Sequence, residues 1–493
     1  QRFERPSVCA ILIFEPAFFE HHFALTGKRL FADVEIAKTF CFKIDHKRKR
    51  FTCDVFVIDG DIAARIGVDP TATLVDELRQ GVLDGSIDAA AIKQRCANKA
   101  LVATVHERCE EASRRRHERV YNATGIVLHT GIGRAPLPSA AVEAMVSASG
   151  YAIVEVDPGS GQRDQREVAV AGLLQDLTGA AGALVVNNKA AATTLMLAAL
   201  TADTEVVVSR GELVEIGGGF RIPDVMRRAG CTMVEVGATN KTHLRDFEGA
   251  TNENTSAYLK VHPSNYRIEG FAGTPSVADL KEGAGEREIL VLDDLGSGLL
   301  CNEQLLGLTD EPRVKDSLDQ GADVTCFSGD KLLGGPQSGI LVGSADLIAR
   351  CRAHPLYRAL RCDKLTLAAL EATLLLYRDG DPLVSVPTLR MLSVSLEELE
   401  GRAKALAVLL KDLGGEVVQS ESFAGSGANP AKPLASVATA ITGGDAECNQ
   451  LRAAQPISVV ARVADGRVLL DARTLLLEDL DEVALAVRQA VGE

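Results

Sequence analysis

Residues 326–343 read CFSGDKLLGGPQSGILVG. An apolar run ends at Ser328-Gly329-Asp330-Lys331, turns through Gly334 and Gly335, and enters a second short apolar run. The pattern predicts a strand that delivers Lys331 to its C-terminal edge, not a lysine on a solvated helix face. Partial desolvation there lowers the pKa of an ammonium and leaves a free amine able to form a Schiff base. Ser328 is placed to hydrogen-bond a phosphate, and the two glycines let the backbone pass close to a ligand. Taken alone, the commoner reading of Lys331 is an ordinary loop lysine.

Two stretches upstream shift that balance. In VLDDLGSG (291–298) an apolar strand ends in an acidic pair. A pyridine cofactor needs a carboxylate to keep its ring nitrogen protonated, because protonation makes the ring an electron sink, and Asp294 suits that role. The plainer reading of Asp294 is a strand-end residue capping a turn. In VVNNKAAATT (185–194) a strand runs into an Ala-rich helix. The amides of Asn188, Lys189 and Ala190 are thereby placed where a helix start can bind phosphate. Each signal is weak alone. In this order, phosphate-binding helix start, ring-partner Asp and Schiff-base Lys follow the arrangement of fold-type I enzymes that use pyridoxal 5'-phosphate (PLP).

The runs ALVVNN (183–188), EVVVSR (205–210), TMVEVG (232–237), AYLKVH (257–262), ILVLDDL (289–295) and VTCFSG (324–329) alternate with helical stretches. They predict βαβ units in a mostly parallel sheet, with functional groups at the strand C-termini. Beyond Leu356 the pattern is helical around 364–377 and 394–413, then βαβ-like, with a hairpin turning at Asp465-Gly466. The expected organisation is an N-terminal region 1–119, a PLP-binding large domain 120–355 and a smaller α+β C-terminal domain 356–493. Residues 76–118 carry helical spacing and a basic cluster at Arg114, Arg115 and Arg116. Residues 1–60 have no clear period and are assigned no function.

A chain of 493 residues is long enough for two or three domains. At 46% hydrophobic and 24% charged residues it matches ordinary folded proteins, which sets aside disordered and fibrous classes. The formal charge of −14 disfavours a general nucleic-acid binder. Residues 1–120 nevertheless hold 20 Lys and Arg against 18 Asp and Glu, so any polyanion contact belongs at the front. The 11 cysteines show no CxxC pairing, so no zinc site or redox dithiol is expected, and they read as reduced. No apolar run approaches the roughly 20 residues that cross a bilayer, and the N-terminus lacks a signal-peptide pattern, so the expected location is the cytoplasm.

From about Val120 onward the sequence closely resembles the bacterial selenocysteine synthase family, L-seryl-tRNA(Sec) selenium transferase. The resemblance is carried by YNATGIVLHTGIGRAPL (121–137), VVVSRGELVEIGGGFRIPDVMRRAG (206–230), VEVGATNKTHLRDFE (234–248), LKVHPSNYRIEGF (259–271), VLDDLGSG, FSGDKLLGGPQSG and RALRCDKLTLAALEATL (358–374). It implies Lys331 as the Schiff-base lysine and Asp330 as its functional neighbour. It also implies Arg134, Arg358 and Arg361 as the arginines that hold the phosphate of the selenium donor. Guanidinium forks bind phosphate oxygens bidentately, which suits that task. On a helix, Arg358 and Arg361 would share one face. The usual family residue is Asn where Gly131 and Lys189 stand, and the stretch 161–166 departs from a GxRGSR-like run.

The activity so implied is conversion of seryl-tRNA(Sec) to selenocysteyl-tRNA(Sec) with selenophosphate, through a PLP-bound dehydroalanyl intermediate, by a homo-oligomer built from dimers. Family members grip tRNA with a small N-terminal domain, which residues 1–75 do not visibly match. Two rivals stand beside this reading. One is a PLP lyase or transferase acting on a small amino acid or amino sugar without tRNA, favoured by the departures and the acidic charge. The other is a non-catalytic assembly subunit, against which the retained Lys331 argues.

Overall fold

The computed structural model describes residues 41–45, 50–54, 117–308, 311–425, 428 and 432–492. The chain divides into two units, Gln1–Glu118 and Arg119–Glu493. In the first, Cys41–Asp45 pairs antiparallel with Arg50–Asp54. Apart from its last two positions, the helical stretch expected over 76–118 lies outside the described residues.

The second unit is organised by seven strands: β1 (Gly182–Val186), β2 (Glu205–Ser209), β3 (Thr232–Val236), β4 (Thr255–Val261), β5 (Leu290–Gly296), β6 (Val324–Ser328) and β7 (Gly339–Gly343). Their spatial order is β1-β7-β6-β5-β4-β2-β3. All neighbours are parallel except those of β7, which runs antiparallel to β6 and β1. The first six strands fall on the six apolar runs read from the sequence, and β7 is the GILVG end of the stretch at 326–343.

Residues of β1, β6 and β7 are buried throughout, as expected for strands covered on both faces. Side chains alternate accordingly. Leu184, Val186, Val206 and Val208 pack with the Lys189–Leu200 helix on one face. Ala183, Val185 and Phe327 pack on the other with the helices Val168–Thr178 and Lys364–Asp379. The parallel strands end at one edge, with Val186, Val261, Gly296 and Ser328 at their termini, and β7 begins there with Gly339.

The C-terminal part has its own sheet: β8 (Glu416–Gly425), β9 (Leu434–Thr442), β10 (Arg462–Ala464) and β11 (Arg467–Asp471). The expected hairpin joins β10 to β11, with Asp465 and Gly466 both left-handed at φ 52° and 70°. A fifth strand comes from the front of the unit. Ile126–Leu128 lies parallel to β8, and Val120–Asn122 lies parallel to Ser458–Val460. The buried carboxylate of Asp471 accepts from Ser420, Ser422 and Ser436 at 2.7–2.9 Å. Beside it the Gly125 N–H donates to Thr474 Oγ1, 349 positions along the chain. A side chain at Gly125 would collide with Asp471, and its φ of 77° is a second reason for glycine. Among the described residues no helix is long and apolar enough to cross a membrane.

Candidate active site

Asp293 and Asp294 are consecutive in β5, so their side chains leave opposite faces of the sheet. Asp293 accepts from Ser317 Oγ at 2.5 Å, and burial pushes its pKa up to about 7. Asp294 faces the Lys189–Leu200 helix and is fully buried. Thr193 Oγ1 donates to its Oδ2 at 2.9 Å. One turn earlier on that helix, the Lys189 ammonium forms an ion pair with Oδ1. No other side chain among the described residues pairs with Oδ1. Burial is the largest influence and disfavours the Lys189 charge, but the charge and hydrogen bond of Asp294, together with further neighbours, leave the pKa raised.

Lys331 lies in the turn after β6 and is only 8% exposed. The turn is held by its own backbone: Gly329 N–H donates to Ser338 O, Gly334 N–H to Lys331 O and Gly335 N–H to Gly329 O, each at 2.9 Å. Gly334 has φ 75°, and a side chain there would overlap Val386. The Lys331 pKa is lowered to about 8, chiefly by burial and then by the nearby charges of Lys189 and Arg134, against the opposing pull of Asp330 and Asp294. Asp330, also buried, accepts from Arg134 at 2.6 Å. Arg134 itself sits at φ 63°, with its N–H donated to His129 O. Ser328 is buried at the end of β6 opposite Gly339.

At the neighbouring strand end, Asn188 caps the helix by accepting the Ala191 N–H at 2.9 Å. The leading amides of Lys189 and Ala190 have no intrahelical carbonyl to meet. Gly339 permits this placement, because a side chain there would strike the Asn188 carbonyl. The same corner receives Arg361: Asn187 N–H donates to Leu360 O at 2.8 Å, and Val186 forms a bridge with Arg361.

Arg361 does not share a helix face with Arg358. The helix Pro355–Leu360 ends before it, and Arg361 is extended at φ −63°, ψ 145°. The physical reason is the pairing of Leu360 with Asn187, which draws the chain out of the helix. Arg358 is exposed in the last turn. Arg361 instead meets Glu155 at 3.3 Å, and Glu155 also pairs with Arg163 and Arg166 from the departing stretch 161–166. Hydrogen bonding by Arg166 holds the Glu155 carboxyl below its ordinary pKa.

Two further residues escaped the sequence reading. His262 follows β4 and donates its N–H to Asp294 O at 3.0 Å. Its pKa is pushed down to about 4 by burial, with Lys260 and Lys189 adding to the effect. Glu311 is 3% exposed, its Oε2 lies 4.0 Å from His262 Nε2, and its Oε1 has no hydrogen-bond partner among the described residues. Burial raises its pKa to about 7. Both line a cavity of about 400 Å³ with Glu212, Lys241, Tyr266 and Arg267. The only sequence signal was position: His262 stands at a strand C-terminus, where such sheets carry their chemistry.

These residues fit PLP. The fully buried Asp294 Oδ1, held here by the Lys189 ammonium alone, can accept a ring N–H. The buried Lys331 amine is available for covalent attachment, and the helix start at Asn188–Ala190 presents free amides to a phosphate.

A family model described as L-seryl-tRNA selenium transferase matches residues 120–476. The L-seryl-tRNA(Sec) selenium transferase of Moorella thermoacetica is 48% identical over 402 residues, covering 79% of this chain and 85% of that protein. Its counterpart from Solidesulfovibrio magneticus is 46% identical over 432 residues, covering 85% and 90%. Among solved structures, D-glucosaminate-6-phosphate ammonia-lyase superposes with a TM-score of 0.56 at 22% identity, over 76% of this chain and 95% of that one. This last likeness concerns the fold.

Proposed function

Since this chain belongs to the L-seryl-tRNA selenium transferase family, we propose that it converts seryl-tRNA(Sec) to selenocysteyl-tRNA(Sec), with PLP held at Lys331 and selenophosphate as the selenium donor. The observation that carries the reading is the buried Lys331 amine one strand away from the buried Asp294 carboxylate. When bound, PLP supplies an electron sink for charge developing at the seryl Cα.

The chain's own residues do the rest. Asp294 Oδ1 keeps the ring nitrogen protonated, Thr193 fixes the carboxylate from its other oxygen, and the Asn188–Ala190 amides hold the cofactor phosphate. Lys331 takes the Cα proton as general base, a task suited to an amine whose pKa burial has lowered to about 8. Asp330 orients Arg134 beside it. Arg134, Arg358 and Arg361 bind the donor phosphate, and the region 1–119 contacts the tRNA. The working form is a homo-oligomer built from dimers, in the cytoplasm.

Incubation of the full chain with seryl-tRNA(Sec) and selenophosphate should place selenium in the aminoacyl product. Absence of transfer, together with turnover of free serine or an amino sugar, would replace this reading with a small-molecule one.

A further inference from the structure

The Lys189 side chain stands at the centre of the candidate site without a role in the proposed reaction. Lys189 begins the helix whose amides face the phosphate position, yet its side chain turns inward and its ammonium lies against Asp294 Oδ1. That is the oxygen available to the ring nitrogen. Only 12% of the Lys189 side chain and none of the Asp294 side chain is exposed. A carboxylate buried to this degree is stable as an anion only beside a cation. Thr193, its other partner, is a neutral hydroxyl and cannot substitute for that charge. One carboxylate oxygen therefore has two claimants: a lysine that belongs to the chain and a pyridinium that arrives with the cofactor.

We infer that Lys189 is a resident counter-ion of Asp294 that PLP must displace, so that loading this protein is an exchange of one cation for another and Lys189 sets its affinity for PLP. The inference rests on the proposal that Lys331 and Asp294 hold PLP. Before loading, Lys189 keeps the empty site neutral and folded. During loading, its ammonium leaves Oδ1 to the ring nitrogen. A neutral residue at this position would leave Asp294 without a cation in the PLP-free protein and remove the competitor at the same time. Stability of the empty protein and affinity for PLP should thus move in opposite directions when the charge is removed.

The test uses the full chain freed of PLP, with Lys189→Met and Lys189→Gln in the native background and in an Asp294→Asn background. Spectroscopic titration with PLP should show a dissociation constant about tenfold or more lower for the Lys189 variants. Their PLP-free forms should melt several degrees lower, with the gap closing at saturating PLP. In the Asp294→Asn background the tightening should vanish, since no charge remains to compete for. Unchanged or weaker binding overturns the inference and makes Lys189 a bystander or a direct cofactor ligand. Tightening that persists without Asp294 also overturns it. Should Lys189→Met not fold, Lys189→Gln decides. If the unaltered protein takes up no PLP on Lys331, the cofactor proposal itself fails; normal uptake with indifferent Lys189 variants removes the exchange alone.

Discussion

Arg134 donates to the carboxylate of Asp330 across 2.6 Å, and the next residue in the chain is Lys331. The two partners act on the Lys331 amine with opposite signs, Asp330 raising its pKa and Arg134 lowering it. Asp330→Asn should shift the Lys331 titration toward acid, and Arg134→Ala should shift it toward alkali. The readout is the pH dependence of the rate at which PLP-free protein reacts with PLP. Shifts in the same direction would mean that the pair acts on Lys331 through shape and not through charge.

Lys331→Ala should abolish borohydride-stable labelling by PLP and lower turnover by at least about a hundredfold, the scale of a lost general base. Asp294→Asn should still take up PLP but lose most turnover, because an amide does not keep the ring nitrogen protonated. Asp293 faces the opposite side of the sheet, held by Ser317. Asp293→Asn should therefore leave PLP uptake intact, which absorbance titration of the three variants would reveal.

The arginines can be separated by half-reaction. Arg361→Ala removes charge-assisted bonds worth roughly 1.5–3 kcal/mol, or about a ten- to hundredfold change in donor binding. The donor KM should rise, while elimination of the seryl hydroxyl, which precedes donor attack, should survive better than overall transfer. Arg361→Lys should rescue only in part, since lysine keeps the charge and loses the fork. Single-turnover assays of both steps provide the check. Equal damage to both steps would assign Arg361 to folding or to tRNA.

Glu311 predicts a pH dependence of stability. Its pKa rises from 4.5 to about 7 on folding, chiefly through burial. Native Glu311 stays protonated across a range where the unfolded chain has ionised, so its contribution is present below about pH 4.5 and is lost as pH rises through 7. The melting temperature of the PLP-free protein should fall over that window, and Glu311→Gln should flatten part of the fall. Asp293, also raised to about 7, should supply a residual slope of the same sign.

The strands were legible because β-branched runs buried on both faces leave an almost continuous apolar signature. Lys331 and Asp294 were legible as polar residues breaking such runs at their ends. The inward turn of Lys189 was not: sequence marks a helix start, but the direction of a long side chain depends on a carboxylate about a hundred positions away. His262 and Glu311, 49 positions apart in the chain, meet only through folding, and no period marks either of them. The end of the helix before Arg361 depends on the Leu360–Asn187 hydrogen bond, a long-range contact no local propensity encodes.

The strand Ile126–Leu128 belongs to the sheet of β8 to β11, nearly three hundred positions later, and Arg134 follows it by only a few residues. During synthesis, the segment that carries Arg134 emerges long before β8 and Thr474 exist to hold it. Contacts so distant in sequence close late and slowly. A growing chain can have Lys331 already in its turn while the Arg134–Asp330 frame still waits for the last strands. Synthesis of β8 and of the segment that carries Thr474 is thus a precondition for a finished site, and a product stopped short of them would carry the lysine without its full surroundings.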